Sequence, residues 1–165
     1  MTRLLAVDLG ERRIGLAVGD DDGSPARPHS TLRRGRSLEA DAGALAAVIA
    51  TEAIDALVVG LPLEASGDEG PMAIKTRAWA DAIRERLDLP VSFRDERLSS
   101  DLAEARLGPM KRGRSGGPPS KTQRDAHRAR VDREAAAIIL QDELDTRAGA
   151  SSSTPRPLDP QETDR

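Results

Sequence analysis

The chain has no cysteine and no tyrosine, and its 165 residues include one tryptophan, one phenylalanine and three lysines. Each scarcity removes a class of function. Without cysteine there is no disulfide framework, no thiolate metal site and no thiol nucleophile. That usage suits a reducing compartment, so the cytoplasm is the expected location. With so few aromatic rings, stacking on nucleotide bases is a poor option for recognition. No apolar run approaches the roughly 20 residues needed to cross a bilayer, and Asp8 interrupts MTRLLAVDLG too early for a signal peptide. The expectation is a soluble chain with no membrane partner. No Walker-type phosphate loop is present. His29 and His127 are too few and too far apart in sequence to argue for zinc.

What is present suffices for one modest domain, since 38% of the residues are hydrophobic. That domain is expected over residues 1–145. The polar, proline-rich segment 146–165 is expected to be a disordered tail. The net charge of −3 is unevenly spread: Arg106 to Arg133 holds nine Lys or Arg against Asp125 and Asp132 alone. Such a run is often a solvated loop, and the other reading is a phosphate-binding surface.

Apolar runs bounded by glycine and charge predict strands over Arg3 to Asp8 and Arg13 to Gly19, paired as a hairpin. A polar edge strand follows near Ala26 to Arg33. Ser37 caps a helix to about Glu52, with Leu38, Ala42, Leu45, Ala46, Val48 and Ile49 at helical spacing. Asp55 to Leu61 reads as a strand covered on both faces. A helix from Pro71 to Leu87 should bury Ile74, Trp79, Ile83 and Leu87. A strand from Pro90 to Arg94, a short helix to Leu107, a mobile loop over residues 108–125 and a last helix over residues 126–144 complete the chain. The last helix should bury Val131, Ala135, Ile138, Ile139 and Leu144. This order of elements is similar to the RNase H-like plan. The expected fold is therefore α/β, with a five-stranded mixed sheet of order 3-2-1-4-5 flanked by helices and the first strand central.

A central first strand carries Asp8 to the edge of the sheet where other element ends converge. A strand-end aspartate alone is more often a turn-maker than a catalyst, so companions are needed. Asp95 and Glu96 end another strand, and Asp132 interrupts the apolar repeat of the last helix. Adjacent strand residues point to opposite faces, so only one of Asp95 and Glu96 can face Asp8, and the longer Glu96 reaches further. Converging carboxylates repel one another unless a cation sits among them, and hard oxygen donors suit Mg²⁺ or Mn²⁺. The chemistry implied is metal-assisted phosphodiester hydrolysis.

Four ordered segments carry a family resemblance: AVDLGERRIGLAVGD, VVGLPLEASGDEG, FRDERLSS and VDREAAAIILQ. The first resembles the DxGxxRxGxA motif of the YqgF/RuvX family at Asp8, Gly10, Arg13, Gly15 and Ala17. The others resemble its central glycine-rich motif, its DER motif and its terminal helix, so the likeness spans about Leu4 to Leu144. The family is described as pre-16S rRNA nucleases and Holliday-junction-resolvase-like proteins. The resemblance implies the RNase H-like fold, a divalent metal, and Asp8, Glu96 and Asp132 as catalytic and metal-binding acids. Ser99 and Ser100 stand where the family commonly carries Thr, and the loop over residues 108–125 is longer than its usual connection.

Around these acids, Arg13 could touch phosphate or hold Asp8 or Glu11. Gly10 and Gly15 could admit a nucleic-acid backbone or serve turn and packing. Gly60 and Gly67 to Gly70 could line a phosphate loop or a plain one. Arg97 reads as a phosphate clamp, and Lys111, Arg112 and Arg114 as substrate contacts. His127, about one turn before Asp132, could assist a leaving group or be solvated. The expected partner is nucleic acid, either pre-rRNA or branched DNA, with ribosomal particles as a further candidate, bound by a monomer or homodimer. The function expected is pre-16S rRNA processing in ribosome biogenesis. The alternatives are a Holliday junction resolvase and a catalytically silent nucleic-acid-binding regulator. Sugar-kinase and actin-like ATPases share an early D-x-G hairpin, but they need two such domains to clasp a nucleotide.

Overall fold

Leu4 and Ala6 lie on one side of strand β1 (Arg3–Leu9), Leu5 and Val7 on the other, and all four are fully buried. A strand with that pattern has to be covered on both faces. The structure, a computed structural model, describes residues 1–151. In it β1 is the middle strand of a five-stranded sheet of order β3-β2-β1-β4-β5. β2 (Arg13–Asp20) and β3 (Arg27–Arg33) continue β1 as an antiparallel meander. β4 (Ala56–Leu61) and β5 (Val91–Asp95) run parallel to β1 on its other side. The expected α/β architecture and strand order are thus the observed ones.

One face of the sheet is covered by α1 (Leu38–Glu52) and α2 (Pro71–Leu87). There Leu5, Val7, Leu16 and Val59 pack with Leu45, Trp79 and Ile83. Asp41 pins this layer from inside: it accepts hydrogen bonds from the Gly35 amide at 2.7 Å, Arg34 Nε at 3.1 Å and Trp79 Nε1 at 3.3 Å. A buried carboxylate supplied with three donors, one of them charged, is stable where an unpaired one would not be. α2 departs from expectation in one place. Ile74 is exposed, and the buried stripe is Ala73, Thr76, Trp79, Ala80 and Ile83. Ile74 lies about 100° around the helix from Ala73, which points it to solvent.

The other face is covered by α4 (Lys121–Ser151), whose Ala136, Ile139, Leu140 and Leu144 pack on Leu4, Ala6, Ala17 and Val58. α3 (Ser99–Leu107) leans on α4 through Ala103, against Val131 and Ala135. α4 is longer than expected at both ends. It begins inside the segment expected to be a mobile loop because Ser120 and Gln123 cap it reciprocally. The Gln123 amide donates to Ser120 Oγ at 3.2 Å, and the Ser120 amide donates to Gln123 Oε1 at 2.8 Å. It then continues to Ser151, so residues 146–151 of the expected tail are helical, supported by the Arg147–Glu143 ion pair at 2.7 Å. Residues 152–165 of that tail lie outside the described residues.

Three polar clasps hold α4 along its length. Thr31 Oγ1 donates to the Ala129 carbonyl at 2.5 Å, Arg13 Nε to Asp132 at 2.6 Å, and Arg94 Nε to Glu143 at 2.5 Å. Burial acts to raise the Glu143 carboxyl, but Arg147 and Arg94 outweigh it and hold the group below its ordinary value. Gly15 sets how closely the helix approaches. A Cβ there would overlap the backbone carbonyl of Asp132, so the glycine serves packing between β2 and α4. Gly15→Ala should push α4 off the sheet and destabilise the fold by about 3 kcal/mol. Urea denaturation checks this, and a loss below about 0.5 kcal/mol would show that the contact does not set the packing.

Candidate active site

Asp8 shares the α4 side of β1 with Leu4 and Ala6, because alternate residues share a face. Its cross-strand partner on β2 is Gly15. On the other side, Val7 pairs with Val59, so Gly60 follows next to Asp8 on β4. The carboxylate therefore sits between two glycines. Gly15 admits the backbone of α4 at Asp132. Gly60 admits a side chain from just beyond β5: a Cβ there would overlap Glu96 Oε2 and lie 2.7 Å from Ile139 Cδ1. Both glycines thus have packing roles. Gly10, whose amide donates to the Arg13 carbonyl at 2.8 Å, closes the hairpin turn.

Glu96 arrives just past β5, with its amide bonded to the Leu61 carbonyl at 3.1 Å. Strand alternation puts it on the same side as Arg94, which reaches Glu143 of α4. Its carboxyl meets that of Asp8 in a desolvated gap, and Glu96 Oε2 is buried with no hydrogen-bond partner. The electrostatics follow from that placement. Burial raises the Glu96 carboxyl to about 9, assisted by the charge of Asp8 and the hydrogen bond between them. Burial likewise raises Asp8 to about 6, with the charge of Asp132 adding to it, while the bond to Glu96 works against the shift. The pair shares a proton near neutrality.

Asp132, the third acid, faces the site from α4, and Arg13 engages it through the 2.6 Å bond. Arg13 thus holds Asp132, and neither of the two partners expected, Asp8 or Glu11. Among the described residues no group of three or more acids or histidines is gathered tightly enough to hold an ion as it stands. The donor chemistry nonetheless fits a divalent cation. Two hard oxygen ligands converge with an orphaned oxygen between them, and a third lies one ion pair away.

Asp95 points elsewhere. It accepts from the Arg97 amide at 3.0 Å and from Arg97 Nε at 2.8 Å, and these bonds hold it below its ordinary value. Arg97 is anchored further by the Ala65 carbonyl at 3.2 Å, which ties down the glycine-rich loop after β4. Lys111, Arg112 and Arg114 are exposed in the connection from α3 to α4, where Arg112 reaches only the Gly116 carbonyl at 3.5 Å. The structure brings together Asp8, Glu96, Asp132 and Arg13, and among the described residues no hydrogen bond or ion pair joins Lys111, Arg112 or Arg114 to them. It also gathers a basic cluster that joins Lys121, Arg124 and Arg128, within the run read as basic, to Arg12, Arg33 and Arg34, which sequence reasoning missed. Arg12, Arg33, Arg34, Lys121, Arg124 and Arg128 line, with Arg13, a groove of about 790 Å³. The spacing of Lys121, Arg124 and Arg128 on one helical face was a visible signal.

A family model described as RuvX, Holliday junction resolvase, matches residues 2–146. The chain belongs to the RuvX family. Among its relatives, a protein of Anaeromyxobacter sp. (strain Fw109-5) named "Putative pre-16S rRNA nuclease" is 43% identical over 145 residues, covering 88% of this chain and 98% of that one. A protein of the same name from Roseiflexus sp. (strain RS-1) is 38% identical over 147 residues, covering 87% and 94%. Among solved structures, T. thermophilus RuvC in complex with Holliday junction substrate aligns with a TM-score of 0.51 at 14% identity. It covers 90% of this chain and 97% of that one, a likeness of fold. Among the described residues no helix of this RuvX chain is long and apolar enough to cross a membrane.

The shared proton has a thermodynamic consequence for the RuvX fold. A carboxyl raised above its unfolded value contributes stability at low pH and loses it as pH climbs through the folded value. For Glu96 that window runs from 4.5 to about 9. Without divalent metal, Glu96→Gln should match the parent at the acid end and melt higher, by about 4 °C or more, at the alkaline end. Thermal melts across that range check it, and a variant that is less stable throughout would show that the pair is not strained.

Proposed function

We propose that this protein is a divalent-metal-dependent nuclease that hydrolyses phosphodiester bonds of structured nucleic acid, with the precursor of 16S rRNA as substrate, in cytoplasmic ribosome maturation. The observation that carries the reading is the desolvated Asp8–Glu96 pair with Asp132 placed beside it across Gly15. The names of relatives that match over nearly their full length supply the substrate.

In this reading Asp8 and Glu96 hold Mg²⁺ or Mn²⁺, and Asp132 joins them. The bound metal supplies positive charge that activates water and neutralises the scissile phosphate. The remaining work belongs to the chain. Gly60 leaves room for the Glu96 carboxyl, and Gly15 sets the depth of Asp132. Arg13 neutralises Asp132 until substrate phosphate competes for its guanidinium, which suits a fork that binds carboxylate and phosphate alike. Asp95 fixes Arg97 so that its guanidinium faces phosphate at the rim. Lys111, Arg112 and Arg114 contribute sequence-independent phosphate contacts from the α3–α4 connection.

A second reading, a Holliday junction resolvase, is favoured by the description of the family model. Cutting two strands symmetrically calls for a homodimer, whereas trimming RNA does not. Purified protein with Mn²⁺ should therefore be assayed on a structured pre-rRNA fragment, single-stranded RNA and a four-way DNA junction, with its solution mass measured alongside. Faster cutting of the pre-rRNA fragment is expected; paired cuts in the junction by a dimer would favour the resolvase. Binding without cutting of any substrate would make the protein a silent binder.

Asp8→Asn and Glu96→Gln should each lower cleavage by about 100-fold or more. Asp95→Asn should retain activity within about tenfold and melt about 2–4 °C lower, because it only frees Arg97. A folded but inactive Asp95→Asn beside an active Glu96→Gln would reverse the assignment of the two acids.

A further inference from the structure

The groove beside the acids is lined by seven Lys or Arg side chains against two acids, Glu11 and Asp125. Four of the seven are already engaged. Arg13 is bonded to Asp132, Arg34 to Asp41, Lys121 to Asp125 and Arg124 to the Pro119 carbonyl. The guanidinium groups of Arg12, Arg33 and Arg128 make no hydrogen bond or ion pair among the described residues. They come from the β1–β2 turn, the end of β3 and the first part of α4, segments brought together only by the fold. Arg33 is the register partner of Arg13 across the β2–β3 pair. Arg128 has the charge of Asp125 nearby, but that acid is already engaged by Lys121, so the groove keeps an excess of positive charge that an anionic ligand relieves.

We propose that this groove, between the β2–β3 rim and the first turns of α4, is the track for the sugar-phosphate backbone of the substrate, gripped by Arg12, Arg33 and Arg128. The inference rests on the nuclease reading above and adds to it the surface along which substrate approaches. The groove is continuous with the catalytic acids through Arg13, which lines it and bonds Asp132. A backbone lying there delivers its next phosphates towards Asp132 and Asp8. A volume of about 790 Å³ has room for more than one phosphate, and its excess of Lys and Arg suits a polyanion. The lining contains no aromatic residue, so it reads the backbone and not the bases. Guanidinium forks match phosphate oxygens in pairs.

The test is fluorescence anisotropy with a labelled RNA hairpin in EDTA, where binding is read without turnover, at several salt concentrations. It compares the parent, the triple variant Arg12→Glu, Arg33→Glu, Arg128→Glu, its milder counterpart with Gln at the same three positions, and a control triple, Lys75→Glu, Arg84→Glu, Arg86→Glu. The control residues lie on α2, on the opposite face of the sheet, and change the charge equally. The Glu triple should weaken binding at least about tenfold and flatten the salt dependence by about 0.7–0.9 per lost contact. The Gln triple, whose folding is checked by its melting curve, should show the same loss of slope. The control should keep the parent's slope. Parental affinity and slope in a folded Gln triple would overturn the groove while leaving the nuclease reading intact. An equal loss in the control triple would reduce the effect to net charge and also overturn the groove. Failure of the parent itself to bind RNA would overturn both.

Discussion

Two carboxyl groups forced together out of water are the constraint around which this molecule is arranged. Asp8 and Glu96 can occupy one gap only by sharing a proton or a cation, and Glu96 Oε2 is left without a hydrogen-bond donor. Such a group is costly to bury. The surrounding fold maintains it through neighbours that cannot be exchanged freely. Gly60 provides the room, Gly15 lets α4 settle at Asp132, and the clasps from Thr31, Arg13 and Arg94 keep that helix in place. The apolar packing on both faces of β1 supplies the stability that offsets the strain.

The same arrangement separates roles between residues adjacent in sequence. Alternation along β5 and its extension sends Glu96 towards α4 and Asp95 away from it, so one acid is raised and the other lowered. Arg13 joins two regions, bonding the third acid while lining the basic groove. On the proposed reading, a phosphate in the groove would compete with Asp132 for that guanidinium.

Much of this was legible in the sequence. Apolar runs bounded by glycine and charge located the inner strands, a polar stretch after a turn located the edge strand β3, and their order placed Asp8 centrally. Strand-end position, side-chain length and the family motif singled out Asp8, Glu96 and Asp132. The failures have physical causes. The start of α4 was hidden because GGPP dominates the reading of its segment, although Ser120 and Gln123 are spaced as a capping box. Ile74 was assigned to the core by hydrophobicity when the stripe of α2 runs through alanines and Thr76. The basic groove was legible only in its α4 half, where Lys121, Arg124 and Arg128 share one helical face. Arg12, Arg33 and Arg128 meet only through the β2–β3 register and the path of α4.

The central claim is that the Asp8–Glu96 pair is a cation site held closed by a proton. It is tested most directly by titration calorimetry of Mn²⁺ binding in two buffers of different ionisation enthalpy near neutral pH. The account predicts release of about one proton for each ion bound, and loss of that release in Glu96→Gln. Mn²⁺ binding with no proton released, or with the same release in the variant, would contradict it.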